Sequence, residues 1–160
     1  MRNKGFTLIE ILVVLFIISI TLSFAILAFG DFGASRRIIV AAEQFSSYLK
    51  LVQQQAIIEG KSLGIDINNQ GYKTYRLEQG NTWQAMPEKS IFHWQHFPNN
   101  LVIDLQKPLK NNTQIPDIII SPSGNLTAFK LSFGKMDKPA LATLIGKRNG
   151  QLILLKPQAS

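Results

Sequence analysis

From Phe6 to Gly30 the chain is apolar apart from one charge, Glu10, and residues 11–30 (ILVVLFIISITLSFAILAFG) carry none. A helix of that length spans about 30 Å, the thickness of a bilayer core, and satisfies its own backbone in lipid. The run therefore predicts a transmembrane helix. Beyond Gly30-Asp31-Phe32-Gly33 the spacing of apolar positions changes. Ile38, Ala41 or Ala42, Phe45, Leu49, Val52 and Ala56 recur every three or four residues, while Glu43, Gln44, Lys50, Gln53 and Gln54 fall mostly off that face. No proline occurs before Pro87 and Gly60 is a natural stop. One helix is thus predicted from about residue 6 to 59, about 80 Å at helical rise. Gly30 and Gly33 each weaken it by about 1 kcal/mol relative to alanine, marking either a flexible joint or a place of close packing.

After Gly60 the period changes from helical to alternating. Leu63–Ile67 and Tyr72–Leu77 flank Asn68-Asn-Gln-Gly71, which is a hairpin signal. Gln79-Gly80-Asn81 is a second turn, before Trp83. Further strands are predicted at 91–97, 101–105, 118–120, 126–133, 141–145 and 152–155, with 134–139 and 147–150 separating the last ones. Many short strands with polar turns after one long helix predict an α+β fold: an antiparallel β-sheet head packed on one side of the helix.

The apolar run is preceded by the basic leader Met1-Arg-Asn-Lys-Gly5. Arg2 and Lys4 favour the cytoplasmic side, which sends the rest of the chain outward. A secretory signal peptide cut near Ser23-Phe24-Ala25 would share these features. Two observations oppose it: the run is longer than an h-region of about 7–15 residues, and Glu10 sits near its start. A carboxylate costs about 2.5–3.5 kcal/mol at the bilayer centre, less nearer the surface, so an acid kept there has a partner.

Lys4-Gly5-Phe6-Thr7-Leu8-Ile9-Glu10 resembles the class III signal of type IV pilins and type II secretion pseudopilins. The resemblance implies that a prepilin peptidase cuts between Gly5 and Phe6 and that Phe6 becomes N-methylated. It also implies a role for Glu10 in assembly, since its carboxylate can meet the Phe6 amine of a neighbouring subunit and set the axial register. Gly5, without a side chain, lets the protease approach the backbone closely. Further along, Glu59–Ile67, Gly71-Tyr72, Trp83 and Ile120–Leu131 are similar to the GspH/FimT branch of minor pilin-like proteins, in an order nearest to GspH.

These resemblances imply four segments: a leader (1–5), a transmembrane and filament-core helix (6–30), its amphipathic continuation (31–60) and a β-rich periplasmic head (61–160). They imply a single-pass inner-membrane protein that joins the periplasmic pseudopilus of type II secretion, at or near its tip. Its partners would be other minor pseudopilins, the major pseudopilin, the prepilin peptidase and the inner-membrane assembly platform. No cofactor is expected. The alternative is a FimT-like minor pilin that binds DNA during uptake, with Lys147-Arg148, between Gly146 and Gly150, as the anion contact.

Composition narrows the chemistry. There is no cysteine, which excludes disulfides, zinc–thiolate centres and cysteine nucleophiles. The formal net charge is +7, and loss of Arg2 and Lys4 leaves +5 in side chains. Arg36-Arg37 and Lys147-Arg148 are the only adjacent basic pairs, the first just past the apolar run, near headgroups or a filament neighbour. The only histidines, His93 and His96, are three apart, a spacing that joins ligands on a helix but not on the strand predicted there. Ser121-Pro-Ser-Gly-Asn125 is a turn by composition, and Glu59-Gly-Lys-Ser62 lacks the upstream glycine of a phosphate-binding loop. No residue constellation points to catalysis or to a metal. Trp83, Met86, Phe92 and Trp94 are assigned mostly to the core, with some available for a subunit contact.

Overall fold

The computed structural model describes residues 7–107 and 115–157, with 26–32 as backbone only. Helix α1 covers Leu8–Glu59. Among the described residues nine strands follow: β1 (Leu63–Asn68), β2 (Gly71–Glu78), β3 (Thr82–Ala85), β4 (Gln95–His96), β5 (Val102–Gln106), β6 (Ile118–Ile120), β7 (Phe129–Lys135), β8 (Lys138–Gly146) and β9 (Leu152–Leu155). The chain forms two compact units, divided within α1 between Arg36 and Arg37.

In the first unit, none of Leu8–Ala25 is buried. Its hydroxyl groups are satisfied within the helix: Ser19 donates to the Leu15 carbonyl at 2.8 Å, Thr21 to Ile18 at 2.9 Å and Ser23 to Ser19 at 2.8 Å. The segment thus presents apolar surface on every side and no side-chain hydroxyl that needs water. α1 continues through Gly30 and Gly33, and a Cβ at Gly33 would meet nothing within 4 Å. Among the described residues, close packing therefore gives no reason for glycine at 33.

The second unit builds its core on the predicted helix face. Ile38, Ala41, Ala42, Phe45, Leu49, Val52 and Ala56 are buried, joined by Tyr48, while Val40, Leu51 and Ile58 on other faces are exposed. α1 stops at Gly60, whose φ of 62° is the left-handed conformation favoured by glycine, and Lys61 N–H closes the turn on the Ala56 carbonyl. Glu59 fixes this end to β2: Arg76 Nη2 donates to Oε1 at 3.0 Å and Nε lies 2.8 Å from Oε2.

Two antiparallel sheets share this helix face, where the sequence predicts a single sheet. One has the order β3-β2-β1-β6, with β4 also paired to β2; the other is β5-β7-β8-β9. The first hairpin has the expected register, with Asn68 opposite Gly71, and Asn68 Oδ1 accepts from the N–H groups of Gln70 and Gly71. Phe45 joins the sheets: its ring lies 4.8 Å from Tyr72 on β2 and 6.0 Å from Phe133 on β7.

Three strand boundaries differ from expectation. Residues 91–94 are turn, and only Gln95–His96 pair with β2. Ser90 explains this: its side chain accepts from Phe92 N–H and its carbonyl from His93 N–H, turning the chain before it can extend. Residues 126–128 precede β7, with Leu126 making only an isolated bridge to Ile120. The separator at 134–139 shrinks to Met136–Asp137, because Lys135 and Lys138 pair.

Candidate assembly site

Thr7 and Glu10 form the start of α1. Thr7 precedes the first helical residue and accepts from Glu10 N–H through both Oγ1 (3.3 Å) and its carbonyl (3.1 Å). Thr7 is thus an N-cap with Glu10 three residues later, the spacing of a capping box. The Glu10 carboxylate also stands in the first turn, where the helix dipole favours negative charge. Its side chain is exposed, among Leu8, Ile9, Ile11 and Val14, which are exposed too. A carboxylate and an apolar surface displayed together suit contact with other helices rather than with water. Gly5 and Phe6, the expected cleavage pair, lie outside the described residues.

Lys147 and Arg148 sit exposed on the turn between β8 and β9. Lys147 N–H donates to the Gln151 carbonyl at 2.9 Å and Leu126 N–H to that of Arg148 at 3.2 Å. Gln53 on α1 braces this turn: Nε2 donates to Gly150 O at 2.8 Å and to Gly124 O at 3.1 Å, tying two turns to the helix. Lys107, Lys130, Lys147 and Arg148 border one open cleft of about 610 Å3, which Phe129 and Ile145 also line. Lys107 is ion-paired with Asp117.

The remaining candidates separate. His93 and His96 are both exposed. His93 Nδ1 is 2.6 Å from the Ser90 carbonyl, whereas His96 Nδ1 accepts from Trp94 Nε1 at 3.1 Å. Among the described residues no three His, Cys, Asp or Glu side chains cluster as a metal site would require. Met86 and Phe92 are buried in the core; Trp83 and Trp94 are half-buried. Trp83, Tyr75, Leu77, Pro116 and Ile119 line a cavity of about 730 Å3 on the face of the first sheet turned away from α1. Asp66 borders it, and together with burial its charge raises the Tyr75 phenol above its usual range, burial being the larger cause.

A model of the prokaryotic N-terminal methylation motif matches residues 1–26, and the type II transport protein GspH model matches residues 41–150. The chain belongs to the GspH family. It is a minor pseudopilin of type II secretion, in a family of structural subunits that associate with other pseudopilins. Relatives named type II secretion system protein H include one from Aeromonas hydrophila, 22% identical over 98% of this chain and 96% of its own length. Another, from Pseudomonas aeruginosa, is 26% identical over 81% of each chain. Among solved structures, the minor pseudopilin EpsH of Vibrio cholerae superposes with a TM-score of 0.67 at 21% identity, covering 79% of this chain and 99% of its own. The type IV minor pilin FimU of Pseudomonas aeruginosa is less similar, with a TM-score of 0.52 at 15% identity over 75% of this chain and 97% of that one. The structural matches show the pilin-like α+β fold. The methylation motif and the apolar helix fit an inner-membrane anchor.

Sequence reading missed two residues of this GspH-family chain. The Thr7 cap was legible as Thr-x-x-Glu before an apolar run. Gln53, placed off the apolar face, had no local signal, because its acceptors are distant in sequence.

Proposed function

We propose that this GspH-family chain is inserted in the inner membrane with Arg2 and Lys4 cytoplasmic and its head periplasmic. It is then cut between Gly5 and Phe6 and methylated on Phe6. Four segments serve this course: leader 1–5, transmembrane and filament-core helix 6–30, amphipathic continuation 31–60 and head 61–160. The mature helix leaves lipid and packs among like helices in the pseudopilus, at or near its tip. There Glu10 pairs with the Phe6 amine of a neighbour, which offsets the cost of desolvating both charges. The chain meets the prepilin peptidase, the assembly platform, the major pseudopilin and the other minor pseudopilins. Its work is structural, without catalysis. The carrying observation is an exposed carboxylate in the first turn of a helix whose next turns are apolar all round.

Sheared pseudopili analysed by mass spectrometry test this reading. The chain should appear with N-methylated Phe6 at its start, and Glu10→Ala should be processed but absent from the filament. An N-terminus at Met1 or Ile26, or normal assembly of Glu10→Ala, would sink it.

The DNA-uptake alternative draws on one observation, the four basic residues around the cleft beside the β8–β9 turn. Phosphate contacts predict a gel shift that weakens steeply with salt and is lost in Lys147→Ala/Arg148→Ala. No shift at low salt removes that reading.

A further inference from the structure

The β7–β8 hairpin ends in a basic tip with methionine at its apex. Met136 is 95% exposed, the highest value among the large apolar side chains described. Lys135 and Lys138 pair across the turn, and Asp137 lies 3.2 Å from Lys135. The tip is held in shape. The register shifts between Phe133 and Lys135, and a Cβ on Gly134 would come within 2.3 Å of the Pro139 backbone and 2.4 Å of the Lys138 carbonyl. Only glycine lets the two strands approach this closely.

Contacts with the helix show where the tip lies within the second unit. Gln53 holds the turn next to the Phe129 end of β7, through Gly150, and Phe45 meets Phe133 at 6.0 Å. Gln53 to Phe45 is about 12 Å along the helix, and Phe129 to Phe133 is about 13 Å along the strand. β7 therefore runs against α1. Three more residues carry it about 10 Å further, to the level of Arg37 and Ile38. Arg37 is exposed and begins this unit. At this end Arg37 and Lys138 are exposed, while the Lys135 side chain is 14% exposed and engaged by Asp137.

The chain tethers this same end to the apolar segment, which in sequence runs to Phe29. We propose that the hairpin tip is a contact for an anionic phospholipid surface, with Met136 entering the headgroup layer and Arg37 and Lys138 facing phosphates. The inference rests on the reading that α1 anchors the chain in the membrane. Charge complementarity selects the occupant, since basic side chains beside a membrane anchor are drawn to anionic lipid. An unbranched, polarisable thioether suits a disordered interface, and lysine stems extend to place their charge in water. A tethered contact need only be weak, because the anchor supplies a high effective concentration. The contact would hold the head at the membrane until the subunit is taken into the filament.

The chain has no cysteine, so Met136→Cys supplies a single labelling site. The full chain is placed in nanodiscs of phosphatidylcholine, with or without phosphatidylglycerol, and acrylamide quenching of an environment-sensitive label is measured. Quenching at 136 should be at least about threefold lower with phosphatidylglycerol, reversed by salt and abolished by Arg37→Glu/Lys138→Glu. A label at Asn149→Cys, on the β8–β9 turn, should not respond. Equal quenching in both lipids overturns the proposal, as does protection that appears only when another pseudopilin is added, which would assign the tip to a protein. Co-elution of the chain with the nanodisc reports the anchor separately; failure to co-elute refutes the anchor and, with it, the lipid contact.

Discussion

Phe45→Ala tests whether one helix face serves both sheets. Phe45 is fully buried, and its ring packs on Tyr72 at 4.8 Å, Phe97 at 6.1 Å and Phe133 at 6.0 Å. Truncating a core phenylalanine costs about 3–5 kcal/mol, and aromatic pairs add about 0.5–1.5 kcal/mol each beyond buried area, which places this site at the upper end. A domain has only about 5–15 kcal/mol in total, so the variant would retain a small margin. Equilibrium urea unfolding of the full chain in detergent, followed by Trp83 and Trp94 fluorescence, reads the second unit. With a slope of about 2 kcal/mol per molar urea, the midpoint should fall by about 2 M. Leu51→Ala is the control: Leu51 is 48% exposed, and its loss should change stability by less than about 0.5 kcal/mol. If Phe45→Ala unfolds no earlier than Leu51→Ala, the shared-face account of the core is wrong.

Other sites make separate predictions. Gly150 has φ 84°, and a Cβ there would meet Gly124 O at 2.5 Å. Gly150→Ala should therefore cost about 1–3 kcal/mol, seen as a lower melting temperature. Burial pushes the phenols of Tyr48 and Tyr72 up to about 12; the hydrogen bond to Thr74 partly offsets this for Tyr48, and Tyr48 itself adds to it for Tyr72. Their neutral forms are favoured in the folded state. The stability they contribute is complete below pH about 10, the unfolded value, and is lost as pH rises from there through about 12. Absorbance titration at alkaline pH should show these two ionising late and together with unfolding. Early ionisation of all three tyrosines would refute their burial.

How much was legible in advance follows from how local each signal is. The α1 face, the stop at Gly60 and the first hairpin each depend on neighbours in sequence, and each formed as the spacing predicted. Alternation failed at 91–97. Phe92 and Phe97 are both buried, although five residues apart on a strand they would face opposite sides, and the turn that Ser90 closes over 90–93 makes this possible. A run rich in aromatic residues reads as a strand by composition even where its burial does not alternate. The division into two sheets was not legible either, since no residue reports which distant strand it will pair with. Glu10 stood out because a lone acid in an apolar run violates a simple rule, whereas the tip at Met136 was hidden in what looked like a loop.

The central claim concerns secretion. A strain lacking this chain should be assayed for export of a type II substrate and for DNA uptake, and then complemented with wild type or Glu10→Ala. The account predicts substrate trapped in the periplasm, rescue by wild type but not by Glu10→Ala, and unchanged uptake. Intact secretion with lost uptake would contradict it.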